Sequence, residues 1–491
     1  MTSRTYDGYA SSRKELGTWL VPVKVMLSVF GTILVCLLIT LRVLPTFRIS
    51  TILLFIASAS FMLVKGRGAP DLLHPVRVFG ALWCFCLALA DMRLMPMLSD
   101  WGYVTWSCFI TGLLSFVGGF WLAKRFAKRR EGAQGPTFEE EISLPNRKAL
   151  ALAALCLAIG TAVLAYEYHL IGEIPILSAN PDAARMRLFG VAGTADPQFD
   201  KLYIKLLHPL VEFIKYSVFL IVIVLCQKKP KSRREILLSV LLIIFGTLAL
   251  SSQAGRGFFV NIAITSVVLL HYLRRRVRLV ELGAAGLALF VLLGFFASQR
   301  LKSGGTAPLL EKVLRTSSLP EGAFWDGITV GYATFTESFE VFHRLTDDLR
   351  TTRQPSSGFL FYALHRFLPR ADIQQFDQEL YTGEIITPTF LGEFYGDYRY
   401  WGVLFGPLVL GLGYGWAYSR ISNQHRMYWI YVRALLIQIL VFFPYVNLFS
   451  QYLTWIFDLF FMYMIIRYLT KHIDRPLQPV AGTRVSVYLP T

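Results

Sequence analysis

Apolar runs about as long as a bilayer is thick, broken by short polar or charged segments, recur along the whole chain. A helix needs about 20 apolar residues to cross the hydrocarbon core. The pattern predicts twelve such helices, over 22–44, 48–65, 76–98, 103–123, 148–170, 202–226, 236–252, 257–273, 279–299, 397–418, 428–447 and 449–469. The third carries Asp91 and Arg93, and the seventh is short. Two polar stretches, 172–201 and 299–384, are too long to be connectors, and loops of that size usually carry function. Within the longer one, "YATFTESFEVFHRL" (332–345) has helical spacing, and "GFLFYALHRFL" (358–368) is amphipathic, suited to lie on a membrane surface. No internal repeat is visible, so an inverted-repeat transporter gains little support. The expected fold is an all-α polytopic membrane protein, one integral membrane domain over 1–491 with a smaller and a larger external loop.

Charge then orients the helices. The chain is 54% hydrophobic and only 16% charged, yet its net charge is +17. The cations gather in "KRFAKRR" (124–130), "QKKPKSRR" (227–234) and "RRRVR" (274–278), between apolar runs. That distribution follows the positive-inside rule and argues against nucleic acid as a partner. With a cytoplasmic N-terminus, the dense basic loops after helices 4, 6, 8, 10 and 12 all fall inside. Both termini are then cytoplasmic and both long loops external. The polar N-terminal stretch and the apolar run after it lack a small-residue cleavage site, so the first helix is expected to act as an uncleaved anchor.

Candidate chemistry is sparse. The six cysteines all fall in apolar runs and read as buried small hydrophobes. No HExxH, Cys/His cluster or DxD occurs, which argues against a metal-dependent nucleotide-sugar transferase; neither metal nor cofactor is expected. "GLGYG" (411–415) lies inside a predicted helix, where small residues let helices approach closely. The external arginines say more: Arg185, Arg187, Arg256, Arg300, Arg366 and Arg370, joined by Lys302. Guanidinium binds phosphate bidentately, so several converging would hold a pyrophosphate without metal. Singly, each is also explained as a headgroup anchor or a solvated residue. Arg256, in "LSSQAGRGFFV" (250–260), stands between two glycines on the face where the positive-inside rule disfavours it.

A general base must come from the same face. Glu393 and Asp397 are four apart beside Tyr395 at the entry to the tenth helix, where carboxylates are costly unless paired or used. Glu340 and Arg344 are four apart on a helical stretch shared with Glu337 and His343, so an ion pair is the simplest expectation. His365 adjoins Arg366. The order as proton acceptor is Glu393, His365, Glu340, Asp397. Asp91, Arg93 and Asp458 read as structural, with Asp458 expected to pair with Arg433.

Three stretches then resemble a family. They are "IGEIPILS" (171–178), followed by Arg185 or Arg187; "SSQAGRGFF" (251–259); and "GFLFYALHRFLPRADIQQFD" with "ITPTFLGEFYGDYRYWGVLFG" (358–377 and 386–406). Their order and spacing resemble the bacterial oligosaccharide repeat-unit polymerases, the O-antigen polymerase group of the Wzy pathway, over about residues 148 to 420. The sequence departs from that pattern at Arg399, where the family commonly has glycine. The resemblance implies a GT-C-like helical enzyme that transfers a glycan from undecaprenyl pyrophosphate onto a second lipid-linked repeat unit, alongside a flippase and a chain-length regulator of the same pathway. The rival readings are an O-antigen ligase, which uses lipid A-core as acceptor, and a lipid-linked saccharide transporter or flippase. The predicted helices hold few charges beyond Asp91, Arg93, Glu167, Glu212, Arg433 and Asp458, which favours chemistry at the outer surface over transport.

Overall fold

The structure is a computed structural model that describes residues 48–63, 71–95, 98–131, 144–181, 184, 187, 207–227, 230–253, 257–288, 323–351, 388–422, 427–446 and 452–470. All regular structure among these residues is helical. In chain order the helices are α1 (Ile49–Leu63), α2 (Pro75–Asp91), α3 (Tyr103–Glu131), α4 (Asn146–Ile171), α5 (Phe213–Cys226), α6 (Arg233–Ser251), α7 (Gly257–Leu273), α8 (Ala323–Thr351), α9 (Leu391–Ser422), α10 (Met427–Phe442) and α11 (Tyr452–Thr470). A further apolar helical stretch covers Leu279–Ala288. Among the described residues, four stretches are long and apolar enough to cross a membrane: Tyr103–Ala127, Asn146–Ile171, His208–Cys226 and Arg233–Ser251. Along α6, Leu237, Leu241, Ile244, Phe245 and Leu248 stand exposed. So continuous an apolar face is stable against lipid tails and not against water. This is a helical membrane protein.

Local chemistry sets the helix ends. Ser232 and Glu235 form a capping box that opens α6, each side chain accepting the other's backbone N–H. Gly172, the glycine of "IGEIPILS", closes α4 with a left-handed φ of 74° and an N–H donated to Tyr168 O. The third predicted span, 76–98, stops early as a helix: α2 ends at Asp91, and Arg93 follows with a φ of 50°. Within the sixth predicted span a 3-10 turn over His208–Glu212 leads into α5 at Phe213.

Successive helices reverse, so their ends gather at two poles. At one pole Asp71 accepts hydrogen bonds from Tyr272 (3.0 Å) and Tyr418 (2.8 Å) and lies 3.2 Å from Nε2 of His271. Nδ1 of His271 accepts from Val277 N–H, so Nε2 carries the proton that faces Asp71. Burial alone would raise the Asp71 carboxyl, but the bonds from His271, Tyr418 and Tyr272 outweigh it and hold the group below the usual carboxylate range. Burial, with help from Lys124, pushes His74 down to about 4. Described parts of the three basic segments share this pole, hereafter the basic pole. The opposite pole collects the start of α1, the α2–α3 turn, the ends of α4 and α6, and α8.

Two large apolar clusters, with two smaller ones beside them, pack the described helices. One joins α2, α3, α8, α9 and α10 around Phe79, Trp83, Phe109, Phe116, Phe339 and Phe390; the other joins α4, α5, α10 and α11 around Tyr216, Phe219, Tyr431 and Met462. Helix α7 lies between them, giving Val268 to the first and Leu269 to the second. Glycines bring α3 and α9 together. A Cβ on Gly119 would lie 2.2 Å from Leu408 O, one on Gly411 2.1 Å from Phe116 O, and one on Gly415 2.4 Å from Phe120 O. Gly413 meets nothing within 4 Å. "GLGYG" is therefore a helix-packing stripe, as its place inside an apolar run leads one to expect.

Candidate functional site

The polar interior is richest at the pole opposite the basic one. There α8 lies across the α2–α3 turn. Tyr332 donates to Leu89 O (2.7 Å) and accepts from Leu94 N–H (3.1 Å). Glu340, 1% exposed, accepts from Ser99 N–H (3.1 Å), Ser99 Oγ (2.7 Å), Trp101 Nε1 (3.2 Å) and Arg344 Nε (3.1 Å). The expected Glu340–Arg344 pair is present, and the other three donors come from the turn below. Four donors occupy the lone pairs of this carboxylate, which suits it to clamping α8 rather than to taking a proton. One helical turn on, His343 Nδ1 meets Thr105 Oγ1 at 2.9 Å, and Thr105 meets Thr346 at 2.7 Å. Asp91 is buried and accepts from Ser50 (2.6 Å) and Thr51 (2.7 Å), while Arg93 pairs with Asp100, which also holds Arg48. Asp91 and Arg93 are tied into the fold, the role read for them from the sequence.

Helix α9 differs from the plain span expected over 397–418. Its first leg, 391–398, turns sharply back at Arg399, whose φ of 56° and ψ of −139° break the helix. The two legs then pack against each other: a Cβ on Gly402 would lie 1.9 Å from Phe394 O, and one on Gly406 2.2 Å from the Phe394 ring. The first leg starts deep. Phe390 stacks on Phe443 (4.5 Å, 6°) and meets Phe79 and Trp83 edge-on, while its N–H donates to Phe443 O at 2.9 Å. Non-helical backbone at this depth is tolerated where protein covers it, and Thr389, Phe390 and Phe443 are all buried. Glu393 and Asp397 ride on this leg, four apart and so on one face; Glu393 is half-buried and Asp397 is 8% exposed. Between them Tyr395 packs edge-on against Phe342 of α8 at 5.7 Å. Glu393 and Asp397, the first and the last in the expected order, thus sit on a re-entrant hairpin, under the helix that carries Glu340.

The second half of the bundle joins two more of the quoted stretches. Ser252 of "SSQAGRGFF" accepts a backbone bond from Ile176 of "IGEIPILS" at 3.1 Å, and its Oγ meets Tyr168 Oη at 2.6 Å. Arg187 pairs with Glu173 across the same loop. Below it, Lys215 lies between Asp458 (2.9 Å) and Glu212 (2.6 Å), and Tyr216 donates to Asp458 at 2.6 Å. Asp458 therefore pairs with Lys215 and not with Arg433, which lies over the Tyr272 ring at 4.9 Å and donates to Ile421 O. The sequence reading passes over Lys215 because one cation inside "FIKYSVFLIVIVLC" leaves the run apolar overall. Glu167 holds His208 at 2.8 Å nearby.

Of the external cations, Arg187 is described. Arg185, Arg256, Arg300, Lys302, Arg366 and Arg370, together with His365, lie outside the described residues. Among the described residues, no group of three His, Cys, Asp or Glu side chains is placed to hold a metal ion. Comparison of the chain with protein-family models, with curated proteins and with solved structures finds no match.

Proposed function

We propose that this chain is a metal-independent glycosyltransferase that polymerises undecaprenyl-pyrophosphate-linked oligosaccharide repeat units at the periplasmic face of a bacterial inner membrane. The reading takes twelve spans in a GT-C-like arrangement, with both termini cytoplasmic and the basic pole inside. One observation carries it: a re-entrant hairpin bearing Glu393 and Asp397 lies at the pole opposite the basic one. Acidic side chains on a broken helix at membrane depth are costly and mark a functional site by default. The contact of Ser252 with Ile176 adds support, because it joins two of the stretches that resemble the O-antigen polymerase group.

In the reaction the hydroxyl of the incoming repeat unit attacks the anomeric carbon of the growing glycan. A new carbon–oxygen bond forms, and the bond to pyrophosphate breaks with its electron pair leaving on the phosphate. The hydroxyl proton passes to a carboxylate, Glu393 first in order. Arg256, with other external arginines, stabilises the charge that grows on the pyrophosphate. The flippase that delivers the units and the regulator that limits chain length are the implied partners. A strain lacking this gene tests the reading. One repeat unit left on lipid A-core is expected; a core with none would favour the ligase or the transporter.

A further inference from the structure

Arg399 has the backbone of a glycine and the side chain of a phosphate ligand. With a φ of 56° and a ψ of −139° its Cβ crowds the backbone, in a region that glycine enters freely. Glycine, common here in the family that the sequence resembles, would make the same turn without strain. An arginine kept at such a point is worth most for its guanidinium. Its surroundings say what that group meets. Tyr398, Tyr400, Trp401 and Phe405 flank the turn and stand exposed, Trp401 at 65%, with the rings of Trp401 and Phe405 stacked at 5.8 Å. Exposed tyrosine and tryptophan mark the boundary between headgroups and hydrocarbon. Trp416, also exposed, lies about 22 Å further along the helix at 1.5 Å per residue, near the other boundary. Arg399, half-buried among these rings, therefore lies at headgroup depth, at the pole where the positive-inside rule disfavours a cation.

We propose that the Arg399 turn is a lateral binding site for the phosphate of a lipid-anchored substrate, which enters between Tyr398 and Trp401 from the outer leaflet. This rests on the reading of the chain as a polymerase and deepens it by naming the residue that first holds the pyrophosphate. Glu393 and Asp397 stand on the other leg of the same hairpin, so a donor held at Arg399 has its glycan led toward the carboxylates. Guanidinium has five donors in a fixed fork, so a bond to a neighbouring side chain still leaves donors for phosphate.

The test is binding of radiolabelled undecaprenyl pyrophosphate to the full chain in phosphatidylcholine nanodiscs, with phosphatidylglycerol as competitor. The wild type should bind, and phosphatidylglycerol should displace little. Arg399→Gly should bind about tenfold less tightly or worse, with a thermal midpoint at or above that of the wild type, because the strain is gone. Arg399→Lys, which keeps the charge and loses the fork, should fall between. Three results would overturn the proposal while leaving the polymerase reading intact: unchanged binding by Arg399→Gly, full displacement by phosphatidylglycerol (a headgroup anchor), or a lowered midpoint in Arg399→Gly (a side chain that works within the fold). A wild type that binds no undecaprenyl pyrophosphate removes the polymerase reading, and this site with it.

Discussion

Glu340 reads from the sequence as a candidate base, and its neighbours give it another role. Glu340 is saturated by Ser99, Trp101 and Arg344. Glu340→Gln should therefore cost roughly 2 kcal/mol of stability, because an amide group turns toward donors, and a lower thermal midpoint should accompany any loss of activity. Glu393→Gln should leave the midpoint unchanged and slow chain growth by about a hundredfold or more. Full-length ladders from Glu393→Gln would pass the role to Asp397 or His365. Arg256→Ala, tested in the same ladder assay, should also cost about a hundredfold, with Arg256→Lys between it and the wild type. How far the residues were legible depends on sequence distance. The pair Glu340–Arg344 follows from i,i+4 spacing, whereas Ser99 and Trp101 reach Glu340 only through the docking of α8. Asp458 finds Lys215 and not Arg433 for the same reason: the facing helix decides which cation is near, and no local pattern encodes that.

Elements were more legible than their ends and bends. Hydropathy located α3, α4, α6 and α7 well, and helical spacing over 332–345 marked α8, because burial periodicity is a local property. It missed the reversal in α9, since no proline interrupts "EFYGDYRYWGVLFG" and only the backbone angles reveal the turn at Arg399. The glycines of α9 test how closely this element must sit on α3. Gly411→Val places branched carbons against Phe116 O and should destabilise by about 3 kcal/mol or prevent insertion. Gly413→Ala, with open space around it, should be neutral or slightly stabilising through helix propensity. Equal thermal midpoints for the two variants would mean that the α3–α9 contact is looser than described.

Across the whole molecule the frame is set by charge and by reversal. The described parts of the three basic segments share one pole, as the distribution of Lys and Arg led one to expect, and the hairpin of α9, which that distribution did not foretell, lies at the other. The topology makes a direct prediction: on a cysteine-free background, Gln134→Cys in intact cells should resist a membrane-impermeant thiol reagent, whereas Ser99→Cys, whose parent side chain is only part-buried, should react. Labelling at Gln134→Cys would invert the frame and put the hairpin inside. The central claim is covalent chemistry on a lipid-borne glycan, and reconstitution tests it most directly. Purified protein in liposomes would be given one undecaprenyl-pyrophosphate-linked repeat unit, EDTA, and no lipid A-core. The account predicts lipid-linked chains of two, three and more units. A donor that stays one unit long with the protein folded, or grows only once magnesium or lipid A-core is supplied, would contradict it.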